Sequence, residues 1–209
     1  MLFFPAFVLL ALTACVNPVT LPSNPIHPQQ ILLVDYGRHS ALVLPRPDGS
    51  AVEYAGGEYE WCAKANDQWY RIPVVVFLPV NDSALGRREI PGPDALTSYR
   101  IRQLHQALYV LTVSADKVTQ LLTKLDNQFQ QNIHTQDFNP KLDMHYVKVS
   151  DVYWGGHNCN HATASWLRDL DCQLSGSNIY SSWLIKYPQS DSAPSSASVS
   201  SASSQQPQP

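Results

Sequence analysis

The stretch Trp154-Gly155-Gly156-His157-Asn158-Cys159-Asn160-His161 runs directly into Ala162-Thr163-Ala164-Ser165-Trp166-Leu167-Arg168-Asp169-Leu170. Two glycines let the backbone turn sharply. The residues after them carry apolar side chains at spacings that suit one face of a helix. The pattern predicts a turn followed by a helix, with Cys159 at or just before the first helical turn. Free backbone N–H groups and the positive end of the helix dipole favour a thiolate there. A lowered thiol pKa and a nucleophilic sulfur are therefore expected, as thiol-dependent acyl transfer requires. A cysteine that merely packs as a small hydrophobe is the competing expectation. Metal binding by His157, Cys159 and His161 is a third. Their alternate spacing does not match the usual gaps between zinc ligands, and no second cluster completes a set, so no metal or other cofactor is expected.

Upstream of this stretch, Ile31-Leu32-Leu33-Val34-Asp35-Tyr36 and His39-Ser40-Ala41-Leu42-Val43-Leu44 are rich in strand formers, with Gly37 allowing a bend. Residues 45–50 are a turn by composition, and Ala51 to Ala55 read as a returning strand. Glu58 to Tyr70 is aromatic-rich and either helical or irregular. Ile72 to Val80 is strongly apolar, and Pro73 and Pro79 confine any strand there to its middle or to a sheet edge. Residues 81–94 read as a loop and Leu108 to Val113 as a strand. In the clearest helix, capped by Ser114, Val118, Leu121, Leu122, Leu125 and Phe129 share one face. Residues 130–141 read as a loop, and His145 to Val149 as a strand leading to the cysteine segment. Strands, helix, strand and cysteine helix in that order predict an α+β domain, its mostly antiparallel sheet packed against helices.

The two ends differ from this middle. Residues 1–14 are almost entirely apolar and finish in Leu12-Thr13-Ala14 before Cys15. That ending resembles the lipobox of bacterial lipoprotein precursors, although no Lys or Arg precedes the apolar core. The core is too short to remain as a spanning helix. By this resemblance residues 1–14 are a lipoprotein signal peptide and Cys15 is the lipidated residue. Val16 in the following position implies an outer-membrane destination facing the periplasm. Residues 15–30, with four prolines and neither helical nor strand period, read as a tether. Residues 188–209, dominated by Ser, Gln, Pro and Ala, have nothing to bury and are expected to be disordered. Between them, residues 31–187 suffice for one domain with its own core. The net charge of −3 and the lack of a Lys/Arg cluster argue against nucleic acid. Setting Cys15 aside leaves Cys62, Cys159 and Cys172, so one disulfide would leave a single thiol. A catalytic Cys159 requires that the bridge join the other two or be absent.

A nucleophilic cysteine needs a base within hydrogen-bond reach, itself steadied by a third polar group. His157 and His161 are close in sequence, but His161 lies about half a helical turn on and should point elsewhere. His105, His134 and His145 sit in or beside polar stretches, and His27 belongs to the expected tether. His39 heads an apolar strand on a face with Ala41 and Val43, from which an imidazole could meet a helix N-terminus.

Val34-Asp35-Tyr36-Gly37-Arg38-His39-Ser40-Ala41-Leu42-Val43-Leu44-Pro45, followed late in the chain by His157-Asn158-Cys159-Asn160-His161-Ala162-Thr163-Ala164 and Leu167-Arg168-Asp169-Leu170, resembles an uncharacterised bacterial family among the circularly permuted papain-like proteins of the NlpC type. In the unpermuted order the cysteine helix comes first; here it comes near the C-terminus. The resemblance spans residues 31–174 and rests on two short motifs. It implies Cys159 as nucleophile, His39 as base and a polar residue on the following strand. Glu53 fits that third place, with Glu58 as substitute. Backbone N–H groups around Cys159, with the Asn158 or Asn160 side chains, would then stabilise an oxyanion. Tyr36 is a weaker addition, and Trp61, Trp69, Tyr153 and Trp154 are candidates to line a cleft. The expected function is a lipid-anchored envelope cysteine hydrolase or acyltransferase acting on an amide or ester bond in peptidoglycan, lipoprotein or phospholipid. The alternative is an inactive envelope lipoprotein using the same fold for binding or scaffolding.

Overall fold

A computed structural model of the chain describes residues 16–103 and 106–187. The expected signal peptide, Cys15, His105 and the 188–209 tail lie outside the described residues.

The apolar runs around residues 31 and 41 become β2 (Pro28–Asp35) and β3 (Ser40–Pro45), following a short β1 (Asn17–Thr20). The returning strand is β4 (Ala51–Glu58), which runs into a one-turn helix, α1 (Tyr59–Cys62). With β5 (Asn81–Ile90), β6 (Ala107–Ser114), β7 (Asp137–Asn139) and β8 (Met144–Tyr153) they form a seven-stranded sheet in the order β6-β2-β3-β4-β5-β8-β7. Every pairing in this sheet is antiparallel. The protein is thus α+β with a mostly antiparallel sheet, as expected.

Both faces of the central strands are covered, which is why β2 and β3 read as continuous apolar runs and not as alternating ones. On one face Ile31, Leu33, Leu42 and Leu44 meet α4 (Ala115–Gln131) and α5 (Cys159–Asp169). On the other, Leu32, Val34 and Val43 meet Ala95 and Tyr99 of α3 (Ala95–Arg102). The face read from the α4 periodicity is the buried one. Ser114 holds the N-cap position, but its Oγ accepts from the Ile26 N–H and not from the helix.

Three expectations are corrected. Of residues 81–94, read as a loop, Asn81–Ile90 is a strand: β5 runs between β4 and β8, and its charges hid it. Arg88 pairs with buried Glu53, and Arg87 lies over the Phe129 ring and beside Asp126. Nor is the apolar run from Ile72 a strand; it is a short helix, α2 (Ile72–Phe77), entered through a 3-10 turn at Trp69–Arg71. Pro73 lies in the first helical turn, where its missing N–H costs nothing. The third concerns residues 15–30, read as having no strand. Asn17–Thr20 pairs in parallel with β10 (Trp183–Lys186) and antiparallel with β9 (Gln173–Leu174), in a second, three-stranded sheet. Val19 is fully buried in the main core.

Candidate active site

Cys159 is the first residue of α5, as the Gly-Gly turn and helix pattern predicted. Trp154 and His157 bridge across the turn through reciprocal backbone hydrogen bonds of 3.0 and 2.9 Å. A Cβ on Gly155 would meet the Val76 carbonyl at 2.7 Å, so that position requires glycine, while one on Gly156 would displace the Trp154 ring. Asn158 caps the helix: its Oδ1 accepts from the Asn160 N–H, and its own N–H donates to His161 Nδ1 at 3.3 Å. Helix and sheet meet closely because β4 is bare at the contact. A Cβ on Gly56 would lie 2.8 Å from the Ala162 Cβ.

The sulfur is 3.9 Å from the Arg38 carbonyl, to which the thiol donates. Burial raises the Cys159 pKa, against the pull of the Tyr153 hydroxyl and of the backbone N–H groups of Asn160 and Cys159 on the sulfur. The expected lowering is corrected here: a residue only 8 % exposed loses more from lost hydration than the helix end returns. Cys62, Cys159 and Cys172 are all free thiols, and burial pushes Cys62 up to about 12.

Two cavities share the wall formed by Gly57, Tyr153 and Cys159. The smaller, about 220 Å³, is bordered by His157, His161, Asp151 and Lys124. The larger, about 650 Å³, is bordered by His39, Tyr36 and Arg38 on one side and by Trp61, Val76 and Tyr146 on the other. His39 and Cys159 therefore face one cavity. Burial lowers the His39 pKa to about 4, so its ring is neutral at pH 7, with a lone pair free but a weaker base than an exposed imidazole.

The carboxylate expected to steady His39 is engaged elsewhere. In the β3–β4 register Val43 faces Glu53 and Ala41 faces Ala55. Continuing it puts Glu53 four residues from the position opposite His39, about 13 Å along the strand. Glu53, 1 % exposed, instead accepts from Arg88, from the Tyr36 hydroxyl at 2.7 Å and from the Tyr99 hydroxyl at 3.0 Å. Tyr36 in turn stacks on His39, ring centroids 6.0 Å apart. Glu53 is thus linked to the imidazole through Tyr36. Glu58, the substitute, lines the same cavity but accepts from the Trp61 N–H and pairs with Arg71.

The Asn158 and Asn160 side chains are also spoken for. Asn158 Nδ2 donates to Gly155 and Ile179 carbonyls. Asn160, 1 % exposed, accepts from Ser40 Oγ at 2.8 Å and donates to the Ile179 and Arg38 carbonyls. Asn160 ties the His39 loop to the cysteine helix, Asn158 ties the Gly-Gly turn to Ile179, and neither side-chain amide is left to face an oxyanion. His161, expected to point away, borders the smaller cavity beside Cys159. Its Nδ1 accepts from Asn158 and its ring hydrogen-bonds the Ser177 backbone, so it serves as a cap rather than a base. His157 Nδ1 is bonded to the Val152 carbonyl. No group of three or more metal-ligating side chains occurs among the described residues.

Sequence reading named Tyr153 as a cleft-lining residue but missed its hydroxyl on the sulfur, although it closes the strand just before the Gly-Gly turn. It missed Arg88 and Tyr99 altogether, because they belong to an element read as a loop and to a helix not foreseen. Of the other aromatic residues, Trp61 lines the cavity, while Trp69 stands 78 % exposed. No family model, curated protein or solved structure matches the chain.

Proposed function

We propose that this chain is a lipid-anchored envelope cysteine hydrolase or acyltransferase, built as a permuted papain-like domain and acting on an amide or ester bond. The observation that carries the reading is the meeting of Cys159, at a capped helix N-terminus, and His39, in the β2–β3 loop just before β3 and 120 residues earlier, on one cavity. In the reaction, neutral His39 takes the thiol proton as the sulfur bonds to the substrate carbonyl carbon. The carbonyl oxygen takes up the electron pair near the Cys159 N–H, the Asn160 N–H being held by the Asn158 cap. The C–N or C–O bond then breaks, and protonated His39 returns its proton to the leaving group. Water, or another acceptor, cleaves the thioester and regenerates the thiol. The anchor at Cys15 would hold the domain at the outer membrane, with peptidoglycan, lipoprotein or phospholipid within reach.

A second reading, an inactive lipoprotein that binds or scaffolds, is favoured by the buried, raised thiol and by the engagement of Glu53 with Arg88 in place of His39.

The test is acylation of the full chain by a p-nitrophenyl ester, followed as added mass on the Cys159 peptide. Acylation should disappear in Cys159→Ala and slow about 100-fold or more in His39→Gln, the usual contribution of a positioned base. Because His39 is held neutral down to about 4, the rate should set in as pH rises through about 4. Equal rates in wild type and His39→Gln, with both folded by circular dichroism, would give the second reading.

A further inference from the structure

Helix α2 is apolar on every side, Ile-Pro-Val-Val-Val-Phe, yet none of its six residues is buried. A helix of that kind is stable only when something apolar covers it. The exposure continues beyond it: Trp69 is 78 %, Phe77 74 % and Val80 69 % exposed, with Tyr70 and Leu78 between them. Residues 72–80 contain no charged side chain. The segment is nevertheless fixed. Arg71 pairs with Glu58 and donates to the Asn66 carbonyl; Asn81 Nδ2 donates to the Val74 and Leu78 carbonyls; the Gly155 N–H donates to the Val76 carbonyl at 2.9 Å. It is a presented surface, anchored from below.

We infer that residues 69–80 dock into the surface of a lipid bilayer and set the mouth of the cysteine cavity against it. Trp69 and Tyr70 have the amphipathic rings that favour the headgroup level, and the aliphatic side chains beyond them favour the acyl boundary. Ile72 and Val76 belong both to this surface and to the cavity wall, so the apolar surface runs into the cavity that Cys159 borders. Arg38 borders the same cavity and is exposed, a cation within reach of anionic headgroups. The chain's own geometry favours a bilayer over a second copy. Cys15 precedes β1 by only two residues, so acyl chains there leave no tether between membrane and folded body. The Asn17 side chain donates to the Tyr180 carbonyl, the neighbouring Ile179 carbonyl accepts from Asn158, and Asn158 bonds Gly155, which bonds Val76. Asn17, two residues after the expected attachment point, and the apolar segment are thereby joined through one path of hydrogen-bonded residues.

This inference draws on the lipoprotein reading for the attachment point and is independent of catalysis. The acylated full-length product, reconstituted in vesicles of phosphatidylethanolamine and phosphatidylglycerol, is compared with and without bromine on the lipid acyl chains. Brominated lipid should quench tryptophan fluorescence, and Trp69→Phe should remove a clear share of that quenching. Phe77→Asp, which keeps all five tryptophans, should lower it as well. Cys159→Ser should quench like wild type, so loss of catalysis and loss of docking are read separately. The mass of the N-terminal peptide reports the anchor by itself. Equal quenching in wild type and Trp69→Phe, or cross-links between copies through residues 69–80, would overturn the inference.

Discussion

At the residue scale the candidate site is braced by a buried carboxylate that does not touch the sulfur. Glu53 gathers Arg88, Tyr36 and Tyr99, and breaking a buried ion pair by removing one member leaves the other uncompensated. Glu53→Ala should lower unfolding stability by about 3 kcal/mol in urea titration. Tyr36→Phe, which keeps the ring over His39, should cost about 1.5 kcal/mol and leave the pH profile of acylation unchanged. Tyr36→Leu, which removes the ring, should alter that profile if Tyr36 positions the imidazole. His39 itself makes stability depend on pH. Its folded pKa lies below its unfolded value, so between the two the unfolded chain binds more protons. Its contribution is complete above about 6.5 and is lost as pH falls toward about 4, amounting at most to about 3 kcal/mol. Urea midpoints at pH 7 and pH 4.5 should therefore converge more closely in His39→Gln than in wild type.

At the scale of elements, the placement of α5 on β4 decides whether a thiol and an imidazole can share a cavity. Gly56 and Gly57 face the helix and the Cys62 side chain with no room for a Cβ. Gly56→Val should cost about 1–3 kcal/mol by overpacking and, by pushing the helix off the sheet, reduce Cys159 acylation far more than its stability effect accounts for. The cap is the second control. Asn158→Ala removes the oxygen that accepts from the Asn160 N–H and the amide that holds Gly155 and Ile179. A loss of about 1 kcal/mol is expected from the cap alone, readable as a shift in thermal midpoint. Helix α2 behaves differently: it is pinned at its backbone and open at its side chains, the reverse of α4, whose apolar stripe faces the core.

For the molecule as a whole, the small sheet ties the two ends together. Parallel pairing of Asn17–Thr20 with Trp183–Lys186 brings residues some 165 apart into register, and Val19 extends the principal core. Val19→Asp, which buries an unpaired carboxylate there, should lower the thermal midpoint of the entire domain in one cooperative step. Separate melting of a terminal segment would show that the small sheet is an appendage. The same closure sets Asn17 against the Tyr180 carbonyl, one residue from the Ile179 carbonyl that Asn158 holds beside the Gly-Gly turn.

What the residues determined alone are the features set by local rules. The Gly-Gly turn, the start of α5 at Cys159, the amphipathic face of α4 and the apolar strands around Leu32 and Leu42 all follow from backbone freedom, capping and periodicity within a few turns of chain. What only the tertiary structure decided depends on partners distant in sequence. The charges of β5 read as a loop until Glu53 and Asp126 face them across the fold. The prolines around β1 hid a strand whose partner lies at the far end of the chain. The β-branched run from Ile72 took a helix because Pro73 opens one and backbone contacts to Asn81 and Gly155 hold it. The thiol illustrates the division most plainly: its place at a helix N-terminus is local, and its raised pKa is not, because desolvation is set by everything packed around it.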